Sequence, residues 1–150
     1  MLQPPVVAIG TFDGLHFGHQ ALSQRCRILA EEQSNVPARP IVVVTFEPLP
    51  AAWFRPDAAP ARLMSVRKNV AYLDNEGMDL VWMMRINQAL AGMSAETFIQ
   101  SVLVDVLDAG DVVVGEDFHY GKARQGNTES LRQAGEKYGF ELNTVATIEV

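Results

Sequence analysis

The 150-residue chain has few cysteines, few basic residues and no long apolar runs, which are features typical of several classes of protein. Its one cysteine, Cys26, cannot form an internal disulfide or build a cysteine-rich zinc site. Twelve Lys and Arg against 18 Asp and Glu give a net charge of −6, which argues against a nonspecific nucleic-acid binder. No apolar run approaches the roughly 18 residues of a membrane span, and the N-terminus has no signal-peptide pattern. With 48% hydrophobic and 20% charged residues, we expect a globular, soluble, cytoplasmic domain.

Short β-branched runs alternate along the chain with segments of helical periodicity. The predicted strands are residues 6–9, 41–46, 80–84, 111–115 and 140–145. The predicted helices cover residues 18–32, 65–76, 94–107 and 127–138. This alternation predicts a single α/β domain over residues 1–150, with a Rossmann-like, doubly wound parallel sheet of five strands in the order 3-2-1-4-5, flanked by helices.

Three segments rich in glycine, polar and aromatic residues follow predicted strands directly. They are residues 10–19 after the first strand, 45–50 at the end of the second and 115–127 after the fourth. Ligands of open parallel sheets bind beyond the carboxyl ends of the strands, where the strand order reverses. The first and fourth strands flank that point, so we expect these segments to form one binding site.

The segment after the first strand predicts a site for an anion. His16 and His19 lie three residues apart where a helix is expected to begin. Unpaired N–H groups and the positive end of the helix dipole favour negative charge there. Two imidazoles at that position can donate hydrogen bonds to phosphoryl oxygens as charge develops. A metal site or a structural loop cap is the alternative for such a pair, but the glutamate of the zincin pattern is missing. The segment also lacks the spacing of a Walker loop and the Gly-x-Gly of a dinucleotide fingerprint.

The same segment resembles the His-x-Gly-His signature of the nucleotidylyltransferase superfamily, here as His16-Phe17-Gly18-His19. By itself this signature leaves cytidylyltransferases and pantetheine-phosphate adenylyltransferase open. Two further segments, Thr45-Phe46-Glu47-Pro48-Leu49-Pro50 and Val114-Gly115-Glu116-Asp117-Phe118-His119-Tyr120-Gly121, the latter followed by Arg124 and Gly126, resemble those of the bacterial FAD synthetases. These are the N-terminal modules of the bifunctional riboflavin kinase/FMN adenylyltransferases.

The resemblance implies transfer of AMP from ATP to the phosphate of FMN, a step of FAD biosynthesis from riboflavin that yields FAD and pyrophosphate and uses Mg²⁺ with ATP. It assigns His16 and His19 to the charge that develops at the transferred phosphorus. The implied ATP-binding residues are Gly10, Thr11, Phe12, His16, Gly18 and His19. The implied flavin-binding residues are Pro48, Pro50, Asp117, Phe118, Tyr120 and Arg124, while the magnesium ligands stay unassigned. ATP and FMN are the expected partners, with no nucleic acid and no membrane.

Three positions depart from the habits of that family. Leu49, Thr11 and His119 stand where it commonly has histidine, asparagine and arginine. The family also carries a downstream Ser-Ser-Thr-x-x-Arg-like nucleotide motif and a β-barrel kinase domain, neither of which these 150 residues contain. We therefore expect this chain by itself to bind flavin nucleotide or ATP weakly and to make little FAD.

Two other functions stay open at this stage. One is another nucleotidylyltransferase, such as a cytidylyltransferase acting on a phosphorylated alcohol, and the other is a flavin- or nucleotide-binding module without turnover. Packing of a loop against the sheet is the alternative role for Phe118 and Tyr120. A solvated surface charge is the alternative for Arg124.

Overall fold

The computed structural model describes residues 4–10, 17–32, 39–47, 78–85 and 88–146. The helix predicted over residues 65–76 lies outside these ranges, as do the predicted site residues Thr11, Phe12, His16, Pro48 and Pro50.

Five parallel strands form one sheet in the order β3-β2-β1-β4-β5. The strands are β1 (Val6–Ile9), β2 (Ile41–Glu47), β3 (Leu80–Arg85), β4 (Asp111–Gly115) and β5 (Glu141–Val145). In the register, Val6 lies opposite both Ile41 of β2 and Asp111 of β4, so β1 is the central strand. The predicted five-stranded parallel sheet and its strand order are confirmed.

Helices cover both faces of the sheet. They are α1 (Phe17–Ala30), α2 (Gln88–Ala91), α3 (Ala95–Phe98), a π-helix (Ile99–Val106), a 3₁₀-helix (Lys122–Arg124) and α4 (Thr128–Tyr138). On one face, α1 packs its apolar side on the sheet through Leu22, Cys26, Leu29 and Ala30. On the other face, the π-helix and α4 pack on the sheet through Ile99, Val102, Leu103, Leu131 and Ala134. Because apolar layers cover both sides, β1 is a continuous apolar run, and each of its residues is buried.

The third predicted helix, over residues 94–107, is two kinds of helix. Ser94 caps α3 by accepting a hydrogen bond from the Thr97 backbone N–H, as its sequence position predicts. From Ile99 the backbone continues as a π-helix, and the Leu107 N–H bonds to the Val102 carbonyl five residues back. Buried residues at 99, 102 and 103 satisfy the spacing of either helix type, so the apolar pattern alone does not distinguish them.

No helix among the described ranges is both long and apolar enough to cross a membrane.

Candidate functional site

The segments that the sequence singled out start at one edge of the sheet. The Gly10 N–H donates to the Val44 carbonyl at 3.1 Å, which continues the β1–β2 pairing into the loop after β1. Since Ile9 lies opposite Val44, and Ala8 lies opposite Val113, Gly10 stands level with Thr45 on one side and Gly115 on the other. The carboxyl ends of β2, β1 and β4 therefore meet where the strand order reverses.

Helix α1 begins at Phe17, so Gly18 and His19 belong to its first turn, as the sequence predicted. That turn carries no acidic residue, so no carboxylate of the helix competes for its free N–H groups. The described residues therefore place a 14-residue helix directly after the central strand, in the arrangement that favours an anion. The parts that His16 and His19 play in binding stay predictions.

The loop from Glu116 to Asn127, which we call the β4–α4 loop, carries four of the predicted flavin residues. It opens with a turn in which the Phe118 N–H donates to the Gly115 carbonyl at 3.1 Å. Nδ1 of His119 lies 2.8 Å from the Asp117 carbonyl oxygen and 3.1 Å from Nη2 of Arg124. A guanidinium only donates, so Nδ1 accepts from Arg124 in one tautomer and donates to Asp117 in the other. The loop thus brings together an imidazole, a guanidinium and the backbone carbonyl of Asp117, whose side chain is exposed.

Tyr120 is more deeply buried than its neighbours in the motif. Its side chain is buried, with 6% of the residue exposed, while Phe118 is half-buried. The Tyr120 ring stacks on Phe118 with centroids 5.6 Å apart and lies tilted against Phe98 at 5.8 Å. Its hydroxyl lies 2.9 Å from Oγ of Ser130, in the first turn of α4. Burial raises the pKa of the Tyr120 hydroxyl, so this group stays protonated and able to donate.

Two glycines shape this loop in ways that the sequence analysis missed. Tyr120 and Gly126 exchange backbone hydrogen bonds of 3.1 and 2.8 Å, which close the loop on itself. A Cβ on Gly126 would lie 2.4 Å from the Tyr120 ring, so any side chain there would displace the ring. Gly121 has a φ of +80° and packs against Ala95, where a Cβ would lie 2.7 Å from the Ala95 Cα. Their spacing, Gly-Lys-Ala-Arg-Gln-Gly, was the available signal for a tight loop.

The loop is also fixed to the helical segment before β4. The backbone N–H of Lys122 donates to the Met93 carbonyl at 2.7 Å, next to the contact between Gly121 and Ala95. Ala123 and Arg124 both have positive φ values, of 55° and 56°, which non-glycine residues adopt at an energetic cost. The Arg124 guanidinium is therefore presented from a tight, closed turn rather than from an extended loop.

No group of three or more histidine, cysteine, aspartate or glutamate side chains within the described ranges is arranged to hold a metal ion.

Comparison with known proteins adds sequence and fold relatives. The FAD synthetase family model matches residues 1–150. A bifunctional riboflavin kinase/FMN adenylyltransferase from Pseudomonas fluorescens is 41% identical over 145 residues, covering 97% of this chain and 45% of the relative. The protein of that name from Escherichia coli K12 is 38% identical over 142 residues, covering 95% of this chain and 44% of the relative. The chain thus spans less than half the length of these curated relatives.

A solved structure titled as a macrolide-efflux protein from Streptococcus pneumoniae aligns with a TM-score of 0.78 and 24% identity, covering 100% of this chain and 48% of the other. This likeness supports the fold alone. The family match extends over every residue of the chain and includes the three segments at the carboxyl edge of the sheet. The chain therefore belongs to the FAD synthetase family.

Proposed function

We propose that this chain transfers AMP from ATP to FMN, forming FAD and pyrophosphate. The observation that carries the proposal is membership of the FAD synthetase family along the whole chain, with the family-like segments starting at one edge of the sheet. The proteins named as bifunctional riboflavin kinase/FMN adenylyltransferases support the same reaction. We assign adenylyl transfer to residues 1–150.

The reaction is a displacement at phosphorus. An oxygen of the FMN phosphate forms a bond to the α-phosphorus of ATP, the bond from that phosphorus to the bridging α,β oxygen breaks, and pyrophosphate leaves with the electron pair. No covalent intermediate on the protein is needed, so the protein acts by holding the two phosphates in line and stabilising developing charge.

The ATP side of the proposed site is the start of α1 and the loop that leads to it. Gly10 is held beside β2 by its hydrogen bond to Val44, which fixes the start of that loop. The first turn of α1 follows this loop, and the free N–H groups of a helix's first turn bind a phosphate well. His16 and His19 are the proposed donors to the transferred phosphoryl group, and Thr11 and Phe12 the proposed backbone contacts of ATP.

The flavin side is the β4–α4 loop, together with Pro48 and Pro50. Phe118 is half-buried and already stacked on one side, so its remaining surface suits the flat flavin ring. Asp117 and Arg124 are exposed in the same loop and are the proposed carboxylate acceptor and cationic donor, with Arg124 held by His119. His119 holds Arg124 by hydrogen bonding, a role in which the arginine common in the family would repel it.

Mg²⁺ is proposed as the companion of ATP. It keeps several waters and binds through phosphate oxygens with one or two carboxylates, so it needs no dedicated protein cage. The ion supplies charge neutralisation on the phosphates. We assign none of its ligands to the described residues. Since ATP is an intracellular substrate, the proposed place of the reaction is the cytoplasm.

The test is direct measurement of FAD formed from FMN and ATP with Mg²⁺ by the full chain. Slow FAD formation with ATP, and none with CTP, is the expected result. Turnover with CTP and a phosphorylated alcohol would favour a cytidylyltransferase instead. FMN binding in a fluorescence titration without any FAD formed would favour a binding module. A melting scan with Mg-ATP adds a check, since nucleotide at 100 times its Kd stabilises by about 2.7 kcal/mol.

A further inference from the structure

We propose that Tyr120 is a positioning residue for FMN adenylyl transfer, acting through the β4–α4 loop and not by contact with substrate. Its ring and its hydroxyl hold Phe118 and Arg124 in the arrangement that receives FMN. The inference rests on the proposed function. It differs from the sequence-based expectation that the Tyr120 ring contacts the flavin.

The ring of Tyr120 contacts two other aromatic side chains. Phe98 is buried in the core, and Phe118, on which the Tyr120 ring stacks, is half-buried. Gly126 fits against the ring, because even a Cβ there would come within 2.4 Å of it. The faces and edges of the ring are therefore used for packing. The Tyr120 ring thus connects the core to Phe118, which is the most exposed of the three aromatic residues.

The hydroxyl of Tyr120 forms a hydrogen bond with Ser130 at the start of α4. Oγ of Ser130 accepts from the Asn127 N–H at 2.9 Å and donates to the Asn127 carbonyl at 3.0 Å. A serine hydroxyl has one proton, so its contact with Tyr120 at 2.9 Å must be accepted by Ser130 and donated by the phenol. The raised pKa of Tyr120 keeps that proton in place. One hydrogen bond thus joins the loop to the capping box of α4.

The backbone of the loop needs such support. The bonds between Tyr120 and Gly126 enclose residues 121–125, and two non-glycine residues among these, Ala123 and Arg124, have left-handed φ values. Conformations of this kind persist only where the surroundings determine them. Here the surroundings are the Tyr120 ring, the Ser130 hydroxyl and the Met93 carbonyl that accepts from Lys122. Loosening Tyr120 should therefore let Arg124 and Phe118 leave their positions while the sheet stays intact.

The experiment compares Tyr120→Phe with Tyr138→Phe in the full chain. Both substitutions remove one phenol hydroxyl and keep the ring. Tyr138 donates its hydroxyl to Glu96 instead of to Ser130. The readouts are amide hydrogen exchange of residues 120–126, KM for FMN, KM for ATP and kcat. Melting temperatures are recorded alongside, with Asn143→Ala, which removes the hydrogen bond from Asn143 to Asp111, as a variant that should lose stability without changing a contact of Tyr120.

In Tyr120→Phe we expect faster exchange of residues 120–126 and a KM for FMN raised by about 2- to 12-fold, the range that one hydrogen bond supplies. KM for ATP should change by less than about twofold, since the ATP side lies at α1. Tyr120→Leu, which also removes the stack on Phe118, should raise KM for FMN further, and restoring the ring as Phe should recover most of it. Tyr138→Phe and Asn143→Ala should leave KM for FMN unchanged.

Three results would overturn the proposal: unchanged exchange and unchanged KM for FMN in Tyr120→Phe, an equal effect of Tyr138→Phe, or a rise in KM for FMN in Asn143→Ala as large as that in Tyr120→Phe. A parent protein that does not bind FMN in a fluorescence titration would overturn the proposed function, and this role with it. A parent that binds FMN while all Tyr120 variants match it would overturn the Tyr120 inference alone.

Discussion

The two ends of the parallel strands, which we call the amino edge and the carboxyl edge of the sheet, carry similar charged side chains and use them differently. At the amino edge, Nη1 of Arg39 contacts Oδ2 of Asp111 at 2.7 Å, and Nε of the same arginine donates to the Pro4 carbonyl. The second carboxylate oxygen of Asp111 accepts from Asn143 at 3.1 Å. At the carboxyl edge, Arg124 meets His119, and both side chains are exposed.

The difference shows how one fold separates stability from binding. The Arg39 and Asp111 side chains are only 15% and 12% exposed, and their hydrogen-bonding groups are turned toward each other and the backbone. Little capacity is left there for a ligand. At the carboxyl edge, the backbone hydrogen bonds between Tyr120 and Gly126 help to fix the loop. The side chains of Asp117 and Arg124 are exposed to solvent. Variants at the two edges should therefore separate activity from stability.

The largest expected effect is on turnover, at the carboxyl edge. His16→Ala and His19→Ala should each lower kcat for FAD formation by about 100- to 1000-fold, because each removes a donor to the developing phosphoryl charge. The unfolding free energy should change by less than about 0.5 kcal/mol. Rates and denaturation curves of purified variants measure both quantities.

The third histidine of the chain is the control for that experiment. His119→Ala releases Arg124 and should act mainly on KM for FMN, with kcat reduced by less than about tenfold. If His16→Ala and His19→Ala keep parental kcat while folded, these two histidines are structural.

The next largest effect is on stability, at the amino edge. Asp111→Asn leaves the Arg39 guanidinium largely buried without its carboxylate, so unfolding should become easier by about 2 to 3 kcal/mol. FAD formed per folded molecule should stay at the parental level. Urea denaturation and the same activity assay give the two numbers.

Asp108→Asn is the matched control for that substitution. Asp108 is exposed and has a φ of +49°, a conformation that asparagine tolerates well, so stability should change by less than about 0.5 kcal/mol. A loss of stability equal to that of Asp111→Asn would show that the contacts of Asp111 with Arg39 and Asn143 do not stabilise the fold more than an exposed aspartate does.

A pH-dependent effect concerns the core beneath α1. Burial raises the pKa of the Cys26 thiol from 9.0 to about 12. A raised folded-state pKa means that the thiol form stabilises the fold below pH 9, and that this contribution is lost as the pH rises toward 12. In this window the unfolding free energy should fall by about 1.4 kcal/mol per pH unit through Cys26 alone.

Cys26→Ala isolates that contribution. The variant loses some packing at neutral pH but should show a shallower decline in unfolding free energy above pH 9 than the parent. Parallel declines in the two proteins would assign the alkaline sensitivity to other groups.

The smallest effect is expected where an ion pair lies in solvent. Arg132 contacts Glu129 at 3.2 Å with side chains 51% and 66% exposed. Arg132→Gln should cost at most about 0.5 kcal/mol, and the cost should vanish in high salt. A loss as large as that of Asp111→Asn would contradict the view that burial sets the value of these pairs.

The sheet was predictable because its strands are short, apolar and regularly spaced. Val6 to Ile9 and Ile41 to Val44 are apolar throughout, which is typical of strands covered on both faces. The π-helix was not predictable from the same kind of pattern, because Ile99, Val102 and Leu103 would be buried in an α-helix too. Periodicity reports which residues face the core, and says less about how many residues make a turn.

The adjacency of the carboxyl ends of β2, β1 and β4 was predictable, and the contacts around them were less so. The expected strand order put the starts of the three segments side by side. The burial of Tyr120 could not be foreseen, because it depends on Phe98 and Ser130, which the fold brings in from neighbouring helices. Arg39 and Asp111 lie 72 positions apart, and no local pattern connects them.

The central place of β1 has a consequence for synthesis on the ribosome. β1 is complete at Ile9, yet its partner β4 ends at Gly115, about a hundred residues later. At translation rates of about 5 to 20 residues per second, one side of this apolar strand waits about 5 to 20 s for its partner. During that interval the nascent chain exposes a strand edge that can pair with other chains. The position of one strand in the sheet order thus sets how long this strand edge stays unpaired in the emerging polypeptide.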